Sequence, residues 1–269
     1  MTRPLSRGAA VIAFVETFCL APEGQHVGKP FKLEPFQKRF IKAIYDNKHG
    51  TRRAYLSIAR KNGKTALIAG IMLAHLVGPE SKQNSQIVSG ARSRKQASQV
   101  FNYAAKMVQL SDDLRSVVRI TPSTKTLIGL PLNVTYEASS AEAGTAMGGS
   151  PVLAILDEVG QVKGPQDAFT DAITTSQGAH ESPLLIAIST QAADDADMFS
   201  IWIDDAKKSA DPRIVSHVYE APKDCDLQDK KAWKEANPAL GAFRNVDDLA
   251  EQAKQAARMP SAENTFRNL

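Results

Sequence analysis

The feature that most limits how this chain can fold is a short cationic loop between two apolar segments. The stretch Arg53–Ala59, with Ala54-Tyr55-Leu56-Ser57-Ile58-Ala59 inside it, reads as a strand. It runs into Arg60-Lys61-Asn62-Gly63-Lys64-Thr65. From Lys64 to Val77 the chain is then apolar on nearly every side (Ala66, Leu67, Ile68, Ile71, Met72, Leu73, Leu76), the pattern of a helix buried all round. Strand, glycine-containing loop and buried helix, in that order, put main-chain N–H groups at a helix N-terminus, where they can face phosphate oxygens. The general pattern is G-x-x-x-x-G-K-[ST]. Its second half is intact in Gly63-Lys64-Thr65, while Ile58 stands at the first glycine position. The amides from Lys61 to Thr65 still lead into the helix, so the backbone chemistry survives that departure. Lys64 is expected to neutralise β- and γ-phosphate oxygens, and the Thr65 hydroxyl to take one Mg²⁺ position. Gly63 allows close backbone approach. Arg60 and Lys61 add positive charge that a purely structural turn does not need.

Strand and helix patterns continue to alternate. Gln86–Ala91, Val152–Leu156, Leu184–Ser189 and Ile214–Tyr219 read as strands; Gln37–Tyr45, Ser93–Leu110, Gln166–Ser176 and Phe199–Ser209 read as helices. Several short strands are expected within Val117–Ser139, broken at Pro122, Gly129 and Pro131. Residues up to about Lys29 are mixed and are expected to wrap the main domain. Two tail helices follow, Asp229–Ala236 and Val246–Arg258. Such alternation predicts an α/β fold with a central, mostly parallel sheet flanked by helices. The domain boundaries expected are a core over residues 1–222 and a small helical lid or linker over 223–269.

Val152-Leu153-Ala154-Ile155-Leu156 ends in Asp157-Glu158. A buried strand is a costly place to end in two carboxylates unless something uses them. Beside a phosphate loop, Asp157 is expected to hold Mg²⁺, directly or through water, and Glu158 to align and deprotonate an attacking water. Together the two motifs predict a P-loop nucleoside triphosphatase of the ASCE type, with ATP and Mg²⁺ as its ligands. Leu184–Ile188 ends in Ser189-Thr190, on the same sheet edge if the strands are parallel; either hydroxyl can sense the γ-phosphate, or simply cap the strand. By spacing alone, Gln37 reads as a surface glutamine. Arg92 and Arg94 follow a predicted strand end and can reach phosphate, DNA or a neighbouring subunit, or be solvated. The five histidines show no ligand spacing.

Composition narrows the rest. The chain has 269 residues, 43% of them hydrophobic, and a formal net charge of +4, a basic excess that permits contact with a polyanion without requiring it. Its two cysteines, Cys19 and Cys225, are far apart and suggest neither a disulfide framework nor a zinc site, which fits a reducing cytosol. No apolar run reaches the roughly 18 residues of a membrane span. The patch Ala9–Val15 soon meets Glu16 and does not read as a signal peptide.

With these pieces in place the chain resembles the ATPase domain of the large terminase subunit of tailed bacteriophages. Leu33-Glu34-Pro35-Phe36-Gln37, Ala59-Arg60-Lys61-Asn62-Gly63-Lys64-Thr65, Ile155-Leu156-Asp157-Glu158 and Ile188-Ser189-Thr190 carry the resemblance. Trp233-Lys234-Glu235-Ala236-Asn237-Pro238-Ala239-Leu240-Gly241 resembles the family's linker region. The resemblance implies an ATP-hydrolysing motor that drives double-stranded DNA into a procapsid. It implies that Gln37 contacts adenine, that Arg60 assists at the γ-phosphate from within the subunit, and that Ser189-Thr190 couples hydrolysis to movement. The implied partners are DNA, the portal protein, a small terminase subunit and further copies of the chain in a ring of five; alone, the domain is expected to be a monomer and a weak ATPase. The implied location is the host cytoplasm, transiently at the portal vertex. Two departures stand out. Where many relatives place an arginine before a glycine, to reach the next subunit's nucleotide, this chain has Ala146-Met147-Gly148, leaving Arg92, Arg94 or Arg213 as candidates. The chain also ends at Leu269, about where a nuclease domain should begin, so no DNA cleavage is expected from it. The alternatives are a helicase-like remodelling ATPase, a small-molecule kinase and a non-catalytic nucleotide-binding module.

Overall fold

The computed structural model describes residues 4–140 and 149–267. In chain order the strands are β1 (Arg53–Ser57), β2 (Gln86–Ala91), β3 (Val118–Thr121), β4 (Thr126–Gly129), β5 (Val134–Ser140), β6 (Leu153–Asp157), β7 (Leu184–Ser189) and β8 (Ile214–Val218). The helices are α1 (Arg7–Phe18), α2 (Pro35–Tyr45), α3 (Lys64–Leu76), α4 (Arg94–Leu110), α5 (Asp112–Val117), α6 (Ala168–Ser176), α7 (Met198–Lys208), α8 (Lys230–Ala236), α9 (Val246–Arg258) and α10 (Pro260–Arg267). The strands make one eight-stranded sheet in the order β3-β4-β5-β2-β6-β7-β1-β8. From β5 to β8 all pairings are parallel; β3, β4 and β5 form an antiparallel meander at one edge.

The period-two alternation of each central strand divides the core. Ala54, Leu56 and Ile58, Leu153 and Ile155, and Ile186 and Ile188 face one apolar layer with α1, α2, α3 and α4. Tyr55, Ala154, Leu156, Leu185 and Ala187 face the other, against Ile173 of α6 and Phe199 and Ile203 of α7. β6 and β7 are buried at every position, which explains their unbroken apolar sequences. The helix α3 buries Leu67, Ile68, Ile71, Met72, Leu73 and Leu76 almost completely. Each such side chain contributes about 1.5–3 kcal/mol by leaving water. A smaller apolar cluster of Trp233, Leu240, Leu249 and Ala253, with Phe266 against it, holds α8, α9 and α10 together.

Several elements differ from the sequence expectations. β1 ends at Ser57 rather than Ala59, because the chain must turn into the loop; Ile58 N still donates to Ser189 O at 3.0 Å. The N-terminal stretch contains α1, capped by the Ser6 hydroxyl and packed through Val11, Phe14 and Val15. Helices α5 and α10 are also additional. Among the described residues no helix is long and apolar enough to cross a membrane.

Candidate active site

Parallel pairing brings the C-terminal ends of β1, β7 and β6 to one edge of the sheet. The phosphate loop leaves β1, the Asp157-Glu158 pair closes β6, and β7 lies between them with Ser189 at its end. The loop and the acidic pair thus meet across one intervening strand.

The loop turns twice through the left-handed region, at Lys61 (φ 63) and Gly63 (φ 74), and Gly63 caps α3. For Lys61 that conformation is strained, a feature that clusters at functional sites. A Cβ on Gly63 would lie 2.9 Å from Phe243 Cζ and 3.4 Å from Gln37 Nε2, so the glycine lets Phe243 pack directly against the loop. Lys64 is buried, and its Nζ donates to the carbonyls of Ile58 (2.9 Å) and Ala59 (3.4 Å). Burial holds its ammonium below the usual lysine range, while the charges of Glu158 and Asp157 act in the opposite direction. Thr65 follows at the first turn of α3, partly accessible.

Asp157 is 6% exposed, and its carboxyl is pushed up to about 7, chiefly by burial, then by the neighbouring Glu158, against the pull of Lys64. Glu158 leaves the strand in the left-handed region (φ 56), which turns the chain into a short 3₁₀ turn over Val159–Gln161. Its main-chain N–H donates to Ile188 O at 2.8 Å. Ser189 Oγ accepts from Gly160 N at 2.8 Å and lies 3.4 Å from Glu158 Oε2, which it reaches as a donor at the long end of hydrogen-bond range. A Cβ on Gly160 would come within 2.4 Å of Thr190 O, so only glycine fits this turn. Ser57 on β1 donates to Gln191 Oε1 at 3.0 Å, joining the ends of β1 and β7.

A buried ammonium and a buried carboxyl, both driven towards neutrality by desolvation, form a site short of countercharge. A polyphosphate against Lys64 and a divalent cation against Asp157 would supply it. The residue types and their placement therefore fit a nucleoside triphosphate with Mg²⁺.

The family model described as the terminase large subunit ATPase domain matches residues 35–208. A curated relative, the large terminase subunit of Enterobacteria phage HK97, is 67% identical over 265 residues, which is 98% of this chain and 53% of that protein. This chain belongs to the terminase large subunit ATPase domain family. The crystal structure of the HK97 bacteriophage large terminase superposes with a TM-score of 0.94 at 66% identity, covering 98% of this chain and 55% of that one. The large terminase ATPase domain of Thermus phage P74-26 shares the fold at a TM-score of 0.61 and 16% identity, over 88% of this chain and 92% of that one. The large terminase of another thermophilic bacteriophage, solved in complex with ADP, matches at a TM-score of 0.53 and 9% identity, over 70% of this chain and 46% of that one. The chain thus spans about half the length of the curated relative it matches.

Not every candidate residue of this terminase domain lies at the strand ends. Gln37 is 1% exposed, which overturns its reading as a surface glutamine; its Oε1 accepts from Glu34 N at 2.9 Å, and its Nε2 lies beside Gly63. Arg60 is exposed on the loop. Arg92, at the end of β2, donates to Gln161 O at 2.9 Å, just beyond the acidic pair. The backbone of Arg94 opens α4. Arg213 lies at the opposite edge of the sheet, where its carbonyl accepts from Arg52 N at 2.9 Å, and its side chain pairs with Asp211. Ala146-Met147-Gly148 falls outside the described residues. Sequence reasoning assigned no role to Asn237, Phe243 and Arg244, which all reach the loop. The one signal was that Asn237 stands inside the Trp233–Gly241 stretch.

Proposed function

We propose that this chain binds ATP with Mg²⁺ at Arg60–Thr65 and hydrolyses it with Glu158, as the motor domain of a terminase that moves double-stranded DNA into a procapsid. The observation that carries this is the meeting of Gly63-Lys64-Thr65 and Asp157-Glu158 across the single strand β7. The 67% identity to the HK97 large terminase subunit, and the ADP complex of the thermophilic phage's large terminase, support it.

In this reading the amides of Lys61, Asn62 and Gly63 face the phosphates. Lys64 leaves its carbonyl acceptors to bind β- and γ-phosphate oxygens. Thr65 and Asp157 are the residues that would hold Mg²⁺, which would draw charge off the phosphate oxygens. Glu158 orients a water and takes its proton, and the Ser189 hydroxyl keeps the Glu158 carboxylate in place until ATP is seated. Ser189 and Thr190 link hydrolysis to movement. Gln37 lies where it can meet the adenine edge, and Arg60 assists at the γ-phosphate. A neighbouring copy supplies the remaining positive charge, through Arg92, Arg94 or Arg213. Residues 1–222 form the ATPase core and 223–269 the helical lid. The working assembly is a ring, of five copies, docked on the portal protein in the host cytoplasm together with a small terminase subunit.

Replacing Glu158 with Gln tests the assignment. Hydrolysis should fall by orders of magnitude while ATP binding, followed with a fluorescent ATP analogue, is retained. Unchanged hydrolysis removes the mechanism.

A further inference from the structure

The hydrogen bonds that tie the C-terminal helical segment to the sheet converge on three consecutive loop residues. Asn62 Nδ2 donates to Asn237 Oδ1 at 2.8 Å, and Ala239 N donates to Asn62 Oδ1 at 3.1 Å. Arg244 Nη1 donates to Arg60 O at 2.8 Å and also to Asn237 Oδ1. Lys61 pairs with Asp248 at 3.4 Å. Asn62, Asn237 and Arg244 are 1%, 2% and 3% exposed, so this is a buried polar network rather than a surface contact. Asn62 Nδ2 also lies 3.2 Å from both Ala59 O and Arg60 O.

These bonds fall on carbonyl oxygens of the loop, and a trans peptide unit points its C=O and its N–H in opposite directions. Holding Ala59 O against Asn62 therefore turns the Arg60 N–H the other way. Holding Arg60 O against Arg244 and Asn62 does the same for the Lys61 N–H. The C-terminal segment grips the back of the loop and so orients the amides on its front.

We propose that Asn237 and Arg244 are positioning residues for nucleotide binding, which set the phosphate loop's peptide planes from the C-terminal segment without touching the nucleotide. The proposal rests on the assignment of ATP to this loop. It has a reciprocal consequence: if seating of the segment favours ATP, ATP must favour seating of the segment by the same factor. It also gives the Trp233–Gly241 stretch a physical role, since its Asn237 is the acceptor at the centre of the network.

The test measures ATP affinity for the intact chain and for Asn237→Ala, Arg244→Ala, Asn237→Asp, Asn237→Leu and Lys64→Ala, each checked for folding by circular dichroism. Asn237→Ala and Arg244→Ala should weaken ATP binding by about tenfold, a typical size for coupling between sites. Asn237→Asp keeps an oxygen that accepts from both Asn62 and Arg244, and should bind within about twofold of the unaltered chain. Asn237→Leu, which keeps about the same volume but loses the acceptor oxygen, should bind as weakly as Asn237→Ala, whereas a residue that only packs would be rescued by it. Because a buried amide can be needed for folding, hydrogen exchange on the unaltered chain is measured as well: ATP should slow exchange of the Ala239 N–H, which donates to Asn62. Folded Asn237→Ala and Arg244→Ala variants with undiminished affinity would overturn the proposal, as would Ala239 exchange that ignores ATP. If Lys64→Ala also binds normally, it is the placement of ATP on the loop that fails.

Discussion

The two strand ends that form the site are built in different ways. The end of β6 is shaped by its neighbour in the sheet: Glu158 N meets Ile188 O, and Gly160 N meets Ser189 Oγ, a partner 29 residues along the chain. The end of β1 is shaped from far away, by Asn237 and Arg244, which lie 175 and 184 residues beyond their loop partners. The difference separates two jobs. In the proposed mechanism, small errors around Glu158 would move a carboxylate that aligns water, and small errors in the loop would turn amides that hold phosphate. The acidic end should therefore govern turnover, and the loop end affinity.

Three substitutions can break or sharpen that division, the largest effect first. Lys64→Ala removes a buried cation from the loop end. ATP binding, read by isothermal titration, should weaken by about 2–5 kcal/mol, as when one partner of a buried charge pair is lost. A variant that binds ATP normally but turns over slowly would move Lys64 to the other side of the comparison. Gly160→Ala disturbs the acidic end alone, because the new Cβ meets Thr190 O at 2.4 Å and the turn carrying Glu158 must shift. Turnover should fall by about 100-fold, the scale of a misplacement near 1 Å, with ATP affinity nearly unchanged. Equal losses in binding and turnover would show that the two ends are not separable.

The smallest effect concerns the far end of the phosphate-loop helix. His75, near the close of α3, is buried against Tyr45, with Nε2 to Oη at 2.8 Å, and burial pushes it down to about 3. The unfolded chain takes up this proton near its ordinary value of about 6.5, and the folded chain refuses it. The stability at stake is therefore fully present above about pH 6.5 and is lost as pH falls towards about 3, by about 1.4 kcal/mol per pH unit. Urea unfolding at about pH 7 and about pH 5 should show His75→Gln gaining on the unaltered chain by about 2 kcal/mol on acidification. A constant difference between the two chains would mean that the ring is protonated in the folded state.

The same contrast explains what the sequence made legible. β2, β7 and α9 have the bounds their patterns predict, because central parallel strands and an amphipathic helix write their burial into local periodicity. Gly63-Lys64-Thr65 and Asp157-Glu158 were legible because a strand end followed by charge has a local signature. Gln37 was misread as a surface residue because what surrounds it is supplied elsewhere, by Gly63 and by Phe243 near the end of the chain. Asn237 and Arg244 had no local signature at all; a buried hydrogen-bond network between distant segments has no period. α1 was missed because its apolar residues run almost continuously, without the polar face that marks a helix on a surface. Arg213 was a candidate by residue type alone, and the topology of β8 places it at the wrong end of its strand to serve its own subunit's loop.

One measurement bears most directly on whether the two strand ends share a single ligand. ATP binding is titrated with and without Mg²⁺ for the unaltered chain and for Asp157→Asn. If the metal bridges the loop-bound phosphates and β6, Mg²⁺ should tighten binding to the unaltered chain, and the asparagine variant should lose that gain while still binding metal-free ATP. An Asp157→Asn chain that responds to Mg²⁺ as fully as the unaltered one would contradict the account.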